Sequence, residues 1–315
     1  MDPCCRIQFA TGAKKPRGGP VIYRPGGSEV AFELRSKARG RLTVIANSHF
    51  LRRMKTALLL LSLCAATAQA TLVTRPVAYE QAGVKFVGYL AYDDAQVSAD
   101  RPAPGVLVVH EWWGLNAFIK EKANALAKLG YVAFAADMFG GGVTTEDPKQ
   151  AGKWAGPFYS GNLHMAERAQ AGLDQLLATG LVVPRKVAAI GFCFGGSAVQ
   201  SLAYTGAPLA GVVTFHGVPI VPTREQAAAI KGKVLICHGA VDPNVKPDQL
   251  QALLAAFDEG KVDYAFIRYA GALHAFTNPH ATRLAQALNL PGIGYNEEAA
   301  RRSWQHMQDL FAEIF

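Results

Sequence analysis

The sequence predicts an α/β fold in which one mostly parallel sheet carries helices on both faces. Three observations predict it. From residue 71 onward, short apolar runs of strand length alternate with longer amphipathic stretches of helical period. Right-handed crossovers then follow from that alternation. One unit, Lys186-Val187-Ala188-Ala189-Ile190-Gly191-Phe192-Cys193-Phe194-Gly195-Gly196, reads as strand, tight turn and helix start with a thiol at the apex. No internal repeat and no linker interrupts residues 71–315, so they form one domain.

The elements follow in order. Tyr79 and Val84 to Tyr92 flank Gln81-Ala82-Gly83, which predicts an antiparallel hairpin. Asp93 to Pro104 is a polar loop, and Gly105 to His110 a buried strand. Asn116 can cap the next helix and Gly130 can close it, with Phe118, Ile119, Ala123, Leu126 and Leu129 on its inner side. Tyr131 to Ala136 is a strand, and residues 138–162, rich in Gly and aromatics without a period, read as a loop with broken helices. Leu163 to Thr179 and Ser197 to Tyr204 are helical. Strands at Ala210–Phe215, Lys233–Cys237 and Val262–Tyr269 alternate with helices at Arg224–Ile230 and Pro247–Asp258. The last helix starts near Asn296, has Glu297 and Glu298 in its first turn, and stacks Ala300, Trp304, Met307, Phe311 and Ile314 on one stripe.

The N-terminal part reads differently. The net charge of +8 resides in residues 1–53, which hold 11 Lys/Arg against 3 Asp/Glu and leave 21 of each sign for the rest. A balanced domain without a basic patch excludes nucleic acid as a partner. Met54-Lys55, the apolar core Ala57 to Cys64 and Ala68-Gln69-Ala70 have the layout of a signal peptide at 54–70, with the mature chain starting at Thr71. The core is too short to span a bilayer, and Leu63 before Cys64 argues against a lipid anchor, so no stable membrane anchor is expected. The expected location is periplasmic or secreted. Residues 1–53 are expected to be an unstructured extension upstream of the true start at Met54; if they are made, Arg52-Arg53 is a weak twin-arginine signal. The mature chain keeps two cysteines, Cys193 and Cys237, which make no disulfide framework. Cys237 ends an apolar strand and reads as core.

The chemistry centres on Cys193. Gly-x-Cys-x-Gly-Gly between a strand and a helix is the thiol version of the nucleophile elbow, with glycines where a Cβ would collide. The following helix points its positive end at the sulfur, which favours thiolate. A phosphate loop is excluded, since neither Gly-Lys-Ser/Thr nor Gly-x-Gly-x-x-Gly is present. A thiol nucleophile needs a base and an orienting acid. Asp242 follows the strand that ends at Cys237, and His274 follows the last strand. The order nucleophile, acid, base is that of the α/β-hydrolase fold. His216 and His238 also end strands, but they stand outside that order and read as structural. In His110-Glu111-Trp112-Trp113-Gly114-Leu115-Asn116, the backbone N–H of Trp112 is placed to join that of Phe194 in an oxyanion hole. Glu111, a carboxylate between an apolar strand and two Trp, must raise its pKa or find a partner. No second His follows at helical spacing, so His110-Glu111 is no zinc motif, and no cofactor motif is present.

From about Gly105 to Phe311 the chain resembles the dienelactone hydrolase family of the α/β-hydrolase superfamily. The resemblance lies in His-Glu-Trp-Trp-Gly-Leu-Asn at 110–116, Asp137-Met138-Phe139-Gly140, Gly-Phe-Cys-Phe-Gly-Gly at 191–196, Gly239-Ala240-Val241-Asp242 and His274-Ala275-Phe276. It implies a Cys193, Asp242 and His274 triad, and a resting thiol paired with Glu111 rather than with histidine. It also implies attack of thiolate on a small-molecule ester or lactone carbonyl, followed by hydrolysis of a thioester. Where dienelactone-specific members carry an arginine after the histidine motif, this chain has Asn278. The expected function is therefore ester or lactone hydrolysis in the wider sense. The alternatives are a thioesterase or peptidase on the same fold, and a non-catalytic relative that only binds a small ligand.

Overall fold

The computed structural model describes residues 29–34, 42–47 and 71–315. The expected signal peptide at 54–70 and the start at Met54 lie outside the described residues. Two compact units are distinguished, Met1–Thr67 and Ala68–Phe315. In the first, β1 (Glu29–Leu34) pairs antiparallel with β2 (Leu42–Asn47). This corrects the expectation of an unstructured extension for those two segments. The two segments pair in unbroken register from Glu29 opposite Asn47 to Leu34 opposite Leu42.

The second unit holds an eight-stranded sheet. Its strands are β3 (Leu72–Gln81), β4 (Val84–Asp93), β5 (Ala103–Val109), β6 (Val132–Ala136), β7 (Val182–Phe192), β8 (Gly211–Phe215), β9 (Lys233–Gly239) and β10 (Tyr264–Tyr269), in the spatial order β10-β9-β8-β7-β5-β6-β4-β3. From β10 to β6 neighbours run parallel, and the β3–β4 hairpin adds an antiparallel edge. Ala82 and Gly83 turn that hairpin with φ of 50° and 76°, the sign a tight two-residue turn requires.

Alternate residues of the central strands feed two cores. Leu107, Val109, Phe134 and Ala189 face one; Val106, Val108, Ala133, Ala188 and Ile190 face the other. Helices α3 (Asn162–Ala178), α4 (Phe194–Tyr204) and α6 (Pro247–Gly260) cover the first core through Met165, Leu173, Leu202, Leu253 and Phe257. The second is covered by α1 (Ala117–Lys128) and α8 (Glu297–Ile314) through Phe118, Ile119, Leu126, Met307 and Phe311. That is the doubly covered sheet expected of near-continuous apolar strands. A short helix, α5 (Arg224–Ala229), precedes β9 under a full Thr223–Gln226 capping box.

Two helices depart from the sequence reading. Residues expected to form a loop with broken helices contain α2 (Pro148–Tyr159), started by the Asp147 side chain on the Lys149 N–H and by Pro148 in the first turn. An unexpected helix, α7 (Ala281–Leu288), lies between β10 and α8 and ends on Asn289 in the left-handed region. Among the described residues, no helix is long and apolar enough to cross a membrane.

Candidate active site

The parallel strands deliver the site residues at their carboxyl ends, where ligands bind in sheets of this kind. Glu111 follows β5, Cys193 follows β7, Asp242 follows β9 and His274 follows β10. Cys193 sits at φ 52°, ψ −115°, a strained conformation for a residue with a Cβ. Two contacts enforce it. A Cβ at Gly191 would lie 2.0 Å from the Gly195 carbonyl oxygen, and one at Gly195 would lie 2.2 Å from the Val109 carbonyl oxygen. The Cys193 N–H donates to the Phe215 carbonyl at 3.0 Å, which ties the elbow to β8. Phe194 is the first residue of α4, so its N–H has no partner inside its own helix.

The structure brings together the three residues that the sequence spreads over 82 positions. His274 Nε2 lies 3.0 Å from Cys193 Sγ, and His274 Nδ1 lies 2.8 Å from Asp242 Oδ2. The other oxygen, Asp242 Oδ1, accepts the Asn244 N–H at 2.9 Å, which fixes the carboxylate plane. The His274 loop is held from both sides, its N–H on the Gly292 carbonyl and its carbonyl on the Gly294 N–H. Burial opposes an imidazolium at His274, but the sulfur of Cys193 and the carboxylate of Asp242 outweigh it and hold the ring well above its ordinary pKa. The thiol stays partly exposed, while His274 and Asp242 are buried.

Glu111 behaves otherwise than the resemblance implies. It is 1 % exposed, and its Oε2 accepts a hydrogen bond from Asn278 Nδ2 at 2.7 Å. The thiol pairs with His274, so the expected resting contact between Cys193 and Glu111 is corrected here. The reason is that an amide donor at position 278 occupies the carboxylate. Burial pushes the Glu111 carboxyl up to about 7, against the Asn278 hydrogen bond, which favours its charged form.

His110, quoted in the sequence only as part of a motif, has a defined task. Its Nε2 accepts the Met138 N–H at 3.2 Å, so Nδ1 carries the proton and donates to the Glu111 carbonyl at 2.5 Å. Full burial pushes the ring down to about 4 and keeps it neutral. In a trans peptide the carbonyl and the next N–H point in opposite directions. Fixing the Glu111 carbonyl therefore fixes the Trp112 N–H. Asp137 anchors this arrangement by accepting the N–H groups of Val87, Phe139, Gly140 and Gly142 between 2.8 and 3.1 Å.

His216 and His238 stay outside the Cys193–His274–Asp242 chain. His216 Nε2 meets Thr277 Oγ1 at 2.7 Å while its ring stands edge-on to His274, and His238 packs against Phe266. Among the described residues no His, Cys, Asp and Glu cluster could hold a metal ion.

Known proteins resemble this chain in sequence and in fold. A sequence profile of the dienelactone hydrolase family matches residues 86–315. The chain belongs to the dienelactone hydrolase family. Among solved structures, a dienelactone hydrolase-like promiscuous phosphotriesterase from metagenomic libraries is 39% identical, with a TM-score of 0.73 over 78% of this chain and 99% of its own. Protein usf of Aquifex pyrophilus is 31% identical over 207 residues, 64% of this chain and 86% of the relative. A relative from Aquifex aeolicus with the provisional name carboxymethylenebutenolidase is 30% identical over the same shares. As a dienelactone hydrolase family member the chain has the expected α/β-hydrolase fold and falls in a class of hydrolases.

Proposed function

We propose that the protein hydrolyses small-molecule esters or lactones through a cysteine nucleophile and a thioester intermediate. The observation that carries this reading is the continuous chain from Asp242 through His274 to Cys193, at 2.8 and 3.0 Å. In the proposed cycle the Cys193 sulfur attacks the substrate carbonyl, and its proton resides on His274. The oxyanion is met by the N–H groups of Trp112 and Phe194. The tetrahedral adduct collapses, the carbon–oxygen bond to the alcohol breaks, and His274 returns the proton to the leaving oxygen. A water then enters, gives a proton to His274 and attacks the thioester. Carboxylic acid leaves and the thiol is restored. Asp242 holds the imidazole in the orientation that both steps need.

Assay of the purified protein on a short nitrophenyl ester and a lactone, with Cys193→Ala beside it, tests the reading. The expected loss is ~10³-fold or more in kcat/KM. Unchanged activity in the variant would remove Cys193 from the mechanism, and inertness of the native protein toward every acyl donor would favour a ligand-binding role. Export through the 54–70 segment is part of the same proposal. Recovery of exported protein beginning at Thr71 is its expected mark, and a cytoplasmic chain retaining that segment is its refutation.

A further inference from the structure

The walls of the cleft around the thiol speak to which esters fit. Beside Cys193, His274 and Glu111 the cleft is lined by Trp112, Trp113, Leu284, Leu290, Ile293, three alanines and Asn278. Helix α7 supplies Leu284 together with Ala281 and Ala285, so this otherwise unexplained helix is one apolar wall of the site. No Lys or Arg is among these lining residues. Asn278, the polar side chain best placed to greet a charged group, is already engaged. Its Nδ2 donates to Glu111 Oε2 at 2.7 Å and its Oδ1 accepts the His280 N–H at 3.0 Å.

We propose that this cleft selects uncharged, apolar acyl groups and rejects acyl groups that carry a carboxylate close to the scissile carbonyl. The inference rests on the acyl-transfer reading and sharpens it to a substrate class. A carboxylate entering the cleft would lose water and meet apolar walls, and the one group there that gains a proton, His274, is already engaged by Asp242 and Cys193. It would also come up against Glu111, the buried acid that lines the cleft, so two like charges would share a poorly hydrated space. An alkyl or aryl group of the same size meets two Trp faces and branched aliphatic side chains, which reward its transfer from water. The discrimination is built from the repulsive side, by what the walls withhold from an anion.

A matched pair of esters isolates this property. 4-Nitrophenyl butyrate and mono-4-nitrophenyl succinate share the leaving group, and the second replaces the terminal methyl by a carboxylate. With the full chain, and after subtraction of uncatalysed hydrolysis, kcat/KM for the butyrate should exceed that for the succinate by about 100-fold. A ratio below about tenfold, or a faster succinate, overturns the proposal. The variant Leu284→Arg places a cation on the apolar wall and leaves the triad untouched. It should narrow the ratio by raising the rate on the succinate, by about tenfold for one newly paired charge. A folded Leu284→Arg protein that keeps the native ratio would remove the α7 wall as its source. Turnover of neither ester by the native protein sinks the acyl-transfer reading itself, a result distinct from turnover of both at similar rates.

Discussion

His110 controls the Glu111–Trp112 peptide without belonging to the chain of groups that moves protons. Its neutral ring bridges Met138 N and the Glu111 carbonyl, and so aims the Trp112 N–H. If that N–H meets the oxyanion, His110→Ala should lower kcat by about 10- to 100-fold and leave KM nearly unchanged, since the lost contact strengthens only in the transition state. The ring titrates near 4, so the deficit should be constant from pH 6 to pH 9. A rise in KM with kcat preserved, in a variant that still melts cooperatively, would assign His110 to ground-state packing instead. Residues of this kind mark the limit of what the chain discloses by itself. Cys193, Asp242 and His274 were legible because each follows its own strand in the order a hydrolase needs. The bond from Asn278 to Glu111 crosses 167 positions, and no local pattern announces it. His110 was visible as a motif, but its task depends on the Met138 N–H arriving from the next strand's loop.

At the scale of the element, the elbow is the most tightly determined feature. β7 and α4 meet so closely that two glycines on either side of Cys193 are backbone-to-backbone contacts. Gly191→Ala would set its Cβ 2.0 Å from the Gly195 carbonyl oxygen, and no flexible side chain is there to move aside. The expected cost is at the upper end of overpacking, about 3 kcal/mol. Urea denaturation should show it as a lower midpoint at unchanged slope. Gly152→Ala on α2, where an added Cβ meets nothing within 4 Å, should be neutral or slightly stabilising and serves as the control. Wild-type stability in Gly191→Ala would mean that the turn opens more freely than its geometry implies. The elbow, the hairpin and the buried strands could be read from the sequence because their signals are local. α7 could not, although Ala281, Leu284, Ala285 and Leu288 carry a helical period. Its N-cap position is His280, which makes no side-chain capping bond, and eight residues are too few to nucleate without tertiary support. The loop at 138–162 concealed α2 for a different reason: its start signal, Asp147-Pro148, was present, but Gly152, Gly156 and Pro157 argued against a continuous helix.

For the molecule as a whole, the buried ionisable groups at the sheet's carboxyl edge set how stability changes with pH. Glu111 has a folded pKa of about 7 against 4.5 for an unperturbed glutamate. Below 4.5 both folded and unfolded chains hold its proton, and the group contributes nothing. Between 4.5 and about 7 the folded chain binds more protons than the unfolded one, so stability falls as pH rises. Above that range the penalty is complete, at about 3 kcal/mol for a shift of this size. His274 pulls in the same direction. Its pKa is raised, so its stabilising share is present below the unfolded value and is lost as pH rises through the folded one. Glu111→Gln tests the Glu111 contribution, because glutamine keeps an acceptor for Asn278 and removes the charge. At pH 8 the variant should melt several degrees above the wild-type protein, at roughly 2–4 °C per kcal/mol for a domain of this size. The gain should shrink as pH is lowered and be lost near pH 4.5. A variant that gains nothing at pH 8 would show that Glu111 is comfortably ionised where it lies, with Asn278 fully offsetting its burial. The acidic residue would then be a stable part of the site's negative field, and the exclusion of anionic acyl groups would rest on it across the neutral range.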